Sequence, residues 1–575
     1  MLTSFYKAVS LFCCLCICSS YLHAQARYSI VISELMADPT PTIGLPNAEW
    51  LELRNTSGNA INLQGFRLQK QNSAPSGPMP SLLLQPDSSV IVCTASQLAA
   101  MSAFGTAISV TSFPSLTNDG DDIALIAPGG ALMHMVSYNI NWYKNAIKAD
   151  GGWTLEMIDT RNPCAGLDNW TASTDTKGGT PGKKNSVDRM NADKRSPRLL
   201  RAVAMHSQLV QLEFDEPLDS IKATTTSSYS ISDGISISSA TPVTWSFHKV
   251  QLQLATALAA QKIYKVSVNT VPDCSGNAIN QNFSDCQLGL FTPADSNDII
   301  VNEILFNPRQ QGVDYIELYN RSQKIIDLHE ILLANRSSNG QIGTFATIAA
   351  ESAAIFPGEF VVCSSNPAIV AQQYTVLQPA ALSTLSSMPS FPDDKGWAVV
   401  LNSAGKILDE LPYEERWHFA LLDNKEGIAL ERINYNAPTA SRDNWTSAAN
   451  TAGFGTPTAV NSQHRTAAAT TGTITVHPRL FSPDNDGFED VAFIDFQFPQ
   501  PGYVANITIM DAAGRPVRVL QRNTTCGASG SFTWDGLNDK QQKVPLGTYI
   551  IYTEIFHLQH SRQVFKNTVA VARKF

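Results

Sequence analysis

A chain of 575 residues is too long for one hydrophobic core, and at the usual 100–200 residues per domain it divides into roughly three to five units. Hydrophobic residues make up 43% and charged residues 16%, a balance that supplies real cores and excludes wholesale disorder. A net charge of -9, a pI near 5.6 and no long Lys/Arg cluster exclude the electrostatic footprint of a nucleic-acid binder.

The N-terminal segment carries Lys7, an apolar run from Ala8 to Cys18 and the small-residue exit Leu22-His-Ala-Gln-Ala26. This pattern predicts a signal peptide over residues 1–24, cleaved near Ala24 or Ala26, and an exported protein found outside the cell or on its outer surface. Cys18 raises the question of a lipid anchor, but Ile17 stands where such a site wants a small residue. No later stretch approaches the roughly 18–20 apolar residues of a spanning helix, so no transmembrane segment is expected. Four of the ten cysteines (Cys13, Cys14, Cys16 and Cys18) fall in the leader, and the rest are too sparse for a disulfide scaffold.

Residues 27–187 alternate in short segments such as Trp50-Leu-Glu-Leu53, where side chains two apart share a face. Turn clusters such as Thr117-Asn-Asp-Gly-Asp-Asp122 separate them, and long amphipathic helical patterns are nearly absent. Residues 196–292 continue in the same style with Val210-Gln-Leu-Glu-Phe214, Val250-Gln-Leu-Gln-Leu254 and Tyr264-Lys-Val-Ser-Val268. Here Phe214-Asp-Glu-Pro-Leu-Asp219 and Val271-Pro-Asp-Cys-Ser-Gly-Asn277 resemble the surface-layer type of bacterial Ig-like domain, which implies a spacer in a surface protein.

Residues 297–463 repeat the first module. Tyr138 to Trp142 returns as Tyr413 to Trp417, and Asp168-Asn-Trp-Thr171 returns at the same offset as Asp443-Asn-Trp-Thr446. Ile32-Ser-Glu34 parallels Val301-Asn-Glu303, Glu52 parallels Glu317, and Gly179-Thr-Pro-Gly182 before Asn185-Ser186 parallels Gly455-Thr-Pro-Thr458 before Asn461-Ser462. These ordered elements resemble the lamin-tail domain, an immunoglobulin-like sandwich of exported bacterial proteins. The expected fold is all-β, in tandem antiparallel Ig-like β-sandwiches.

After the linker Thr466 to Thr471, residues 472–575 carry Phe532-Thr-Trp-Asp-Gly536 and Pro545-Leu-Gly-Thr-Tyr549. They resemble the Ig-like domain of the flagellar hook-capping family, relatives of which close proteins exported by type IX secretion. The type IX machinery is thereby an implied partner.

The search for chemistry returns no nucleophile elbow, Walker loop, dinucleotide fingerprint or His-Glu-x-x-His. His557 and His560 read as one strand with opposed side chains, and Ser246-Phe-His-Lys249 reads as a chance Ser-x-x-Lys in a strand. The recurring Glu34/Glu303 and Glu52/Glu317 read as exposed or salt-bridged strand residues rather than a paired-carboxylate site. Trp50, Trp142, Trp153 and Trp170 read as core rather than a glycan platform, and Asn118 to Asp122 as a solvated turn. Thr439 stands where Cys164 would recur, so a Cys93–Cys164 bridge is not a shared framework; Cys274 and Cys286 are equally compatible with a bridge and with free thiols. One metal candidate remains: Asp484, Asp486, Glu489 and Asp490, an Asp-x-Asp-Gly loop that reads first as a turn capped by its own side chains and alternatively as a weak calcium site, and no other cofactor is expected. The function expected is that of a non-enzymatic surface protein, structural or adhesive, that binds other proteins or glycans. The alternative is an accessory binding subunit of a secreted hydrolase system.

Overall fold

In the computed structural model, residues 26–420, 422–465, 472–484, 489–558 and 560–572 are described. The expected leader, the Thr466–Thr471 linker and Asp486 lie outside them. The described residues form two compact units, one of those up to 257 together with 264–287, the other of 258–263 together with those from 288 on. Both are built of small, mostly antiparallel sheets, as the period-two patterning requires. Among the described residues the longest helix, Pro367–Gln373, has 7 residues, and no helix is long and apolar enough to cross a membrane.

In the first unit a six-stranded sheet runs in the order Trp170–Ala172, Leu155–Met157, Ile30–Met36, Trp50–Asn55, Ser89–Cys93, Ala107–Ser109. It packs on a three-stranded sheet of Arg67–Lys70, Gly120–Ile126 and Leu132–Asn139, with Phe66, Leu125, Trp142 and Trp170 in the core between. Ile30–Met36 is buried along its whole length, so the outer face of this sheet is covered too. Two further sheets follow: Leu199–His206, Leu209–Phe214, Lys249–Leu254 and Ile237–Pro242 in one, Tyr229–Ile231, Tyr264–Val268 and Asp285–Leu288 in the other.

The second unit repeats the six-stranded order with Trp445–Ser447, Leu430–Arg432, Ile299–Leu305, Tyr315–Asn320, Phe360–Ser364 and Leu382–Thr384. Even the register irregularity recurs, between Ile32 and Glu34 in one copy and between Val301 and Glu303 in the other. A four-stranded sheet of Ile342–Thr347, Ile331–Arg336, Lys395–Asn402 and Ile407–Glu414 packs on the six-stranded one, and the two sheets of the C-terminal module share a core around Trp534, which meets Phe481 and Tyr549 edge-on at 5.4 and 5.2 Å.

The copies differ at one buried pair. In the first, His134 accepts from the Ile32 amide at Nδ1 (2.9 Å), which leaves Nε2 to donate to the Pro163 carbonyl (3.1 Å); burial lowers its pKa to about 4, so the ring is neutral. In the second, Asp409 accepts from the corresponding Val301 amide and pairs with Arg432 at 3.2 Å, both side chains almost fully buried. Arg432 stands where the first copy has Met157, so this copy carries anion and cation together, as a buried charge requires.

Three sequence readings change. Cys274 pairs with Cys164, while Cys286 is free. His557 ends one strand of a hairpin and His560 begins the next, so the two are register partners rather than neighbours on one strand. Ser246 sits in a turn before Lys249–Leu254, not in a strand.

Candidate functional site

The glutamates that recur in both copies are neither exposed nor salt-bridged. Glu34, Glu52 and Glu156 are all 0% exposed. Cross-strand register sets Glu34 opposite both Glu52 and Glu156, so the three carboxylates form one row across three strands. Sequence reasoning missed Glu156, although the repeat offset carries Leu155-Glu156 onto Leu430-Glu431.

What the row holds is the Gly-Thr-Pro-Gly strap. Glu34 accepts from the Thr180 amide (2.7 Å) and from the Thr154 hydroxyl (2.6 Å), while the Thr180 hydroxyl donates to Glu156 (2.9 Å). The Gly182 amide donates to Glu52 (2.7 Å), and Ser186 and the Val187 amide donate to Glu156 (2.8 and 3.1 Å). Asn185 closes the strap by donating to the Ser33 and Met157 carbonyls. Gly182 lies at φ +73°, where a Cβ would stand 2.6 Å from the Phe104 carbonyl, which is why glycine occupies it.

The second copy repeats the arrangement. Glu303 takes the Thr456 amide and hydroxyl, Glu317 takes the Thr458 amide, and Glu431 takes the hydroxyls of Thr456 and Ser462. Thr458 replaces glycine at φ +67°, a costly conformation for a β-branched residue. Its hydroxyl offsets part of that by accepting from the Leu377 and Gln378 amides, both at 3.0 Å.

Burial, the largest influence, raises these carboxyls: Glu52 to about 7, Glu303 to about 8, and Glu34 and Glu317 well above the usual range. A carboxyl whose folded pKa exceeds its unfolded value stabilises fully below the unfolded value, and that stability is lost as pH rises through the folded one. For Glu52 the span is on the order of 3 kcal/mol. Asp159, held low against its own burial by the Asn191 and Arg161 amides, works in the opposite direction at acid pH, and His134 and His418, lowered by burial to about 4 and about 3, offset part of the loss below about pH 6.5. Thermal melts from pH 4 to pH 9 should therefore show both units most stable near pH 5, with stability falling from about pH 5 to pH 8. A rise over that interval would contradict raised carboxyls at Glu34, Glu52, Glu303 and Glu317.

The rows are sealed, so solvent-facing chemistry has to lie elsewhere. In the first unit a cleft of about 380 Å³ is lined by Arg27, Trp142, Asp168, Arg195, Trp245 and His248 among others. The Cys164–Cys274 bridge, with Cα atoms 6.5 Å apart, ties one side of this region to the other. Arg195 pairs with Asp215 at 2.8 Å, and next to it Asp193, Glu216 and Asp273 bring carboxylate oxygens within 4.8 Å of one another. In the second unit a cleft of about 730 Å³ is lined by Arg309, Phe419, Glu426, Phe454, Asn506 and Phe556 among others. Of the candidates read from the sequence, Trp50, Trp142 and Trp170 are core, as expected, and Trp153 is partly buried against it. Asp484, Glu489 and Asp490 stand in or beside the C-terminal module's first turn, with Asp484 accepting from the Ser482 hydroxyl.

Residues 23–139 match the Lamin Tail Domain family and residues 199–291 a bacterial Ig-like domain family. No curated protein matches the chain. Among solved structures it is similar to the S-layer protein rSbsC(31-844), at 10% identity over 66% of this chain and 54% of that one (TM-score 0.16). It is also similar to PorZ of Porphyromonas gingivalis, described as a bacterial surface component of the type-IX secretion system, at 10% identity over 92% and 74% (TM-score 0.15). A third is SGBP-B of the Bacteroides ovatus mixed-linkage glucan utilization locus, solved with a mixed-linkage heptasaccharide, at 9% identity over 73% and 74% (TM-score 0.16). The chain spans 44–55% of the first S-layer structures it matches, and likeness at these scores fixes no function.

Proposed function

We propose that the protein is an exported, non-enzymatic component of the cell surface, whose sandwich modules act as spacers and as binding units for other proteins or glycans. The Cys164–Cys274 bridge carries this reading, because such a bond forms and persists in oxidising compartments outside the cytoplasm. The lamin-tail and bacterial Ig-like matches support it. So does the fate of the recurring carboxylates, which hold a strap and are closed to substrate. The proposal includes the leader over residues 1–24, a second lamin-tail module at 297–463, a hook-capping-like C-terminal module served by the type IX machinery, and weak calcium binding at Asp484, Asp486, Glu489 and Asp490.

A glycan array and a surface-protein pull-down with the mature chain test the reading. Saturable binding to a defined glycan or surface protein is expected, with no turnover in a broad hydrolase screen. Hydrolysis abolished by a point substitution in either cleft would overturn it.

A further inference from the structure

We infer that Asp193, Glu216 and Asp273 form a binding site for a hard divalent cation, with calcium as the matching ion. The three come from different places in the first unit: Asp193 from the segment leading into Leu199–His206, Glu216 from just after Leu209–Phe214, and Asp273 from the loop carrying Cys274. Their oxygens all lie within 4.8 Å of one another. Two donors about 2.3–2.6 Å from a shared calcium ion lie at most about 4.6–5.2 Å apart, so this spacing fits one ion, and all three are carboxylate oxygens, the ligand class such an ion prefers.

One feature besides the cluster points to a ligand. Glu216 is only 9% exposed, and its Oε1 is buried with no hydrogen-bond partner. A cation held between the three carboxylates satisfies this oxygen. Asp273 is already held in place by its own loop, since the Ser275 and Asn277 amides donate to its Oδ1 at 2.8 Å and the Asn277 side chain donates to Oδ2. The nearest cation, Arg195, is engaged with Asp215 and leaves the cluster strongly negative. An ion here would clamp the Asp273 loop beside the point where the disulfide already ties it.

The test uses the full mature chain in differential scanning calorimetry and calcium titration, with wild type, Glu216→Gln, Asp193→Asn and the Asp484→Ala, Asp486→Ala double variant. Calcium at about 5 mM, suited to weak extracellular sites, should raise the first-unit transition by several degrees over chelator, in wild type and in the double variant alike. Glu216→Gln, which removes a buried charge, should melt in chelator no lower than wild type, and it should lose the calcium response and one bound ion. Asp193→Asn should weaken binding at least tenfold. A wild-type first-unit transition unmoved by calcium, a rise confined to the other transition, or a Glu216→Gln response equal to wild type would overturn the site.

Discussion

Replacing Glu34 with alanine should lower the melting midpoint of the first unit on the order of 10 °C, and leave the second unit's transition in place. The substitution removes the acceptor of the Thr180 amide and of the Thr154 hydroxyl inside a fully buried row. Stranded buried donors and the cavity left by the side chain together cost ~3–5 kcal/mol. Glu34→Gln separates this cause from simple loss of volume. The amide keeps one carbonyl acceptor, so the loss should be smaller, and with one titrating group gone the decline in stability from pH 5 to pH 8 should be shallower. Calorimetry of the three proteins across that range reads both effects; a Glu34→Ala midpoint equal to wild type would mean that the row does not hold the strap.

Reduction should be as costly to the first unit. The Cys164–Cys274 bridge spans 110 residues of sequence, and closing a loop of that length restricts the unfolded chain by ~4 kcal/mol. A reductant, or the Cys164→Ser, Cys274→Ser double variant, should therefore lower the first transition by about 10 °C. In the second unit Cys363 and Cys526 are buried free thiols, so its transition should not move. Equal loss in both units would place the effect outside this bond.

The repeat was readable because strand periodicity and turn chemistry are local, and because two copies bind their straps with the same residues in the same order. The recurring glutamates were visible as a pattern, but their environment was not. A carboxylate in an alternating strand reads as solvent-facing, whereas the donors that allow Glu34 to be buried arrive from Thr180, 146 positions away. The disulfide was hidden for a related reason: neither cysteine has a partner within its own module, and the second copy carries Thr439, which hydrogen-bonds Asp409 and Arg432 instead. Asp193, Glu216 and Asp273 form no motif along the chain, and only folding brings them together.

The proposed function requires this chain to work outside the cytoplasm as a bridged, sandwich-built surface protein. Non-reducing peptide mapping by mass spectrometry, on protein taken from the surface and cytoplasmic fractions of producing cells, tests it most directly. A Cys164–Cys274 linked peptide is expected in surface protein whose N-terminus lies near residue 25 or 27. Full-length protein confined to the cytoplasm, with both thiols free, would contradict it.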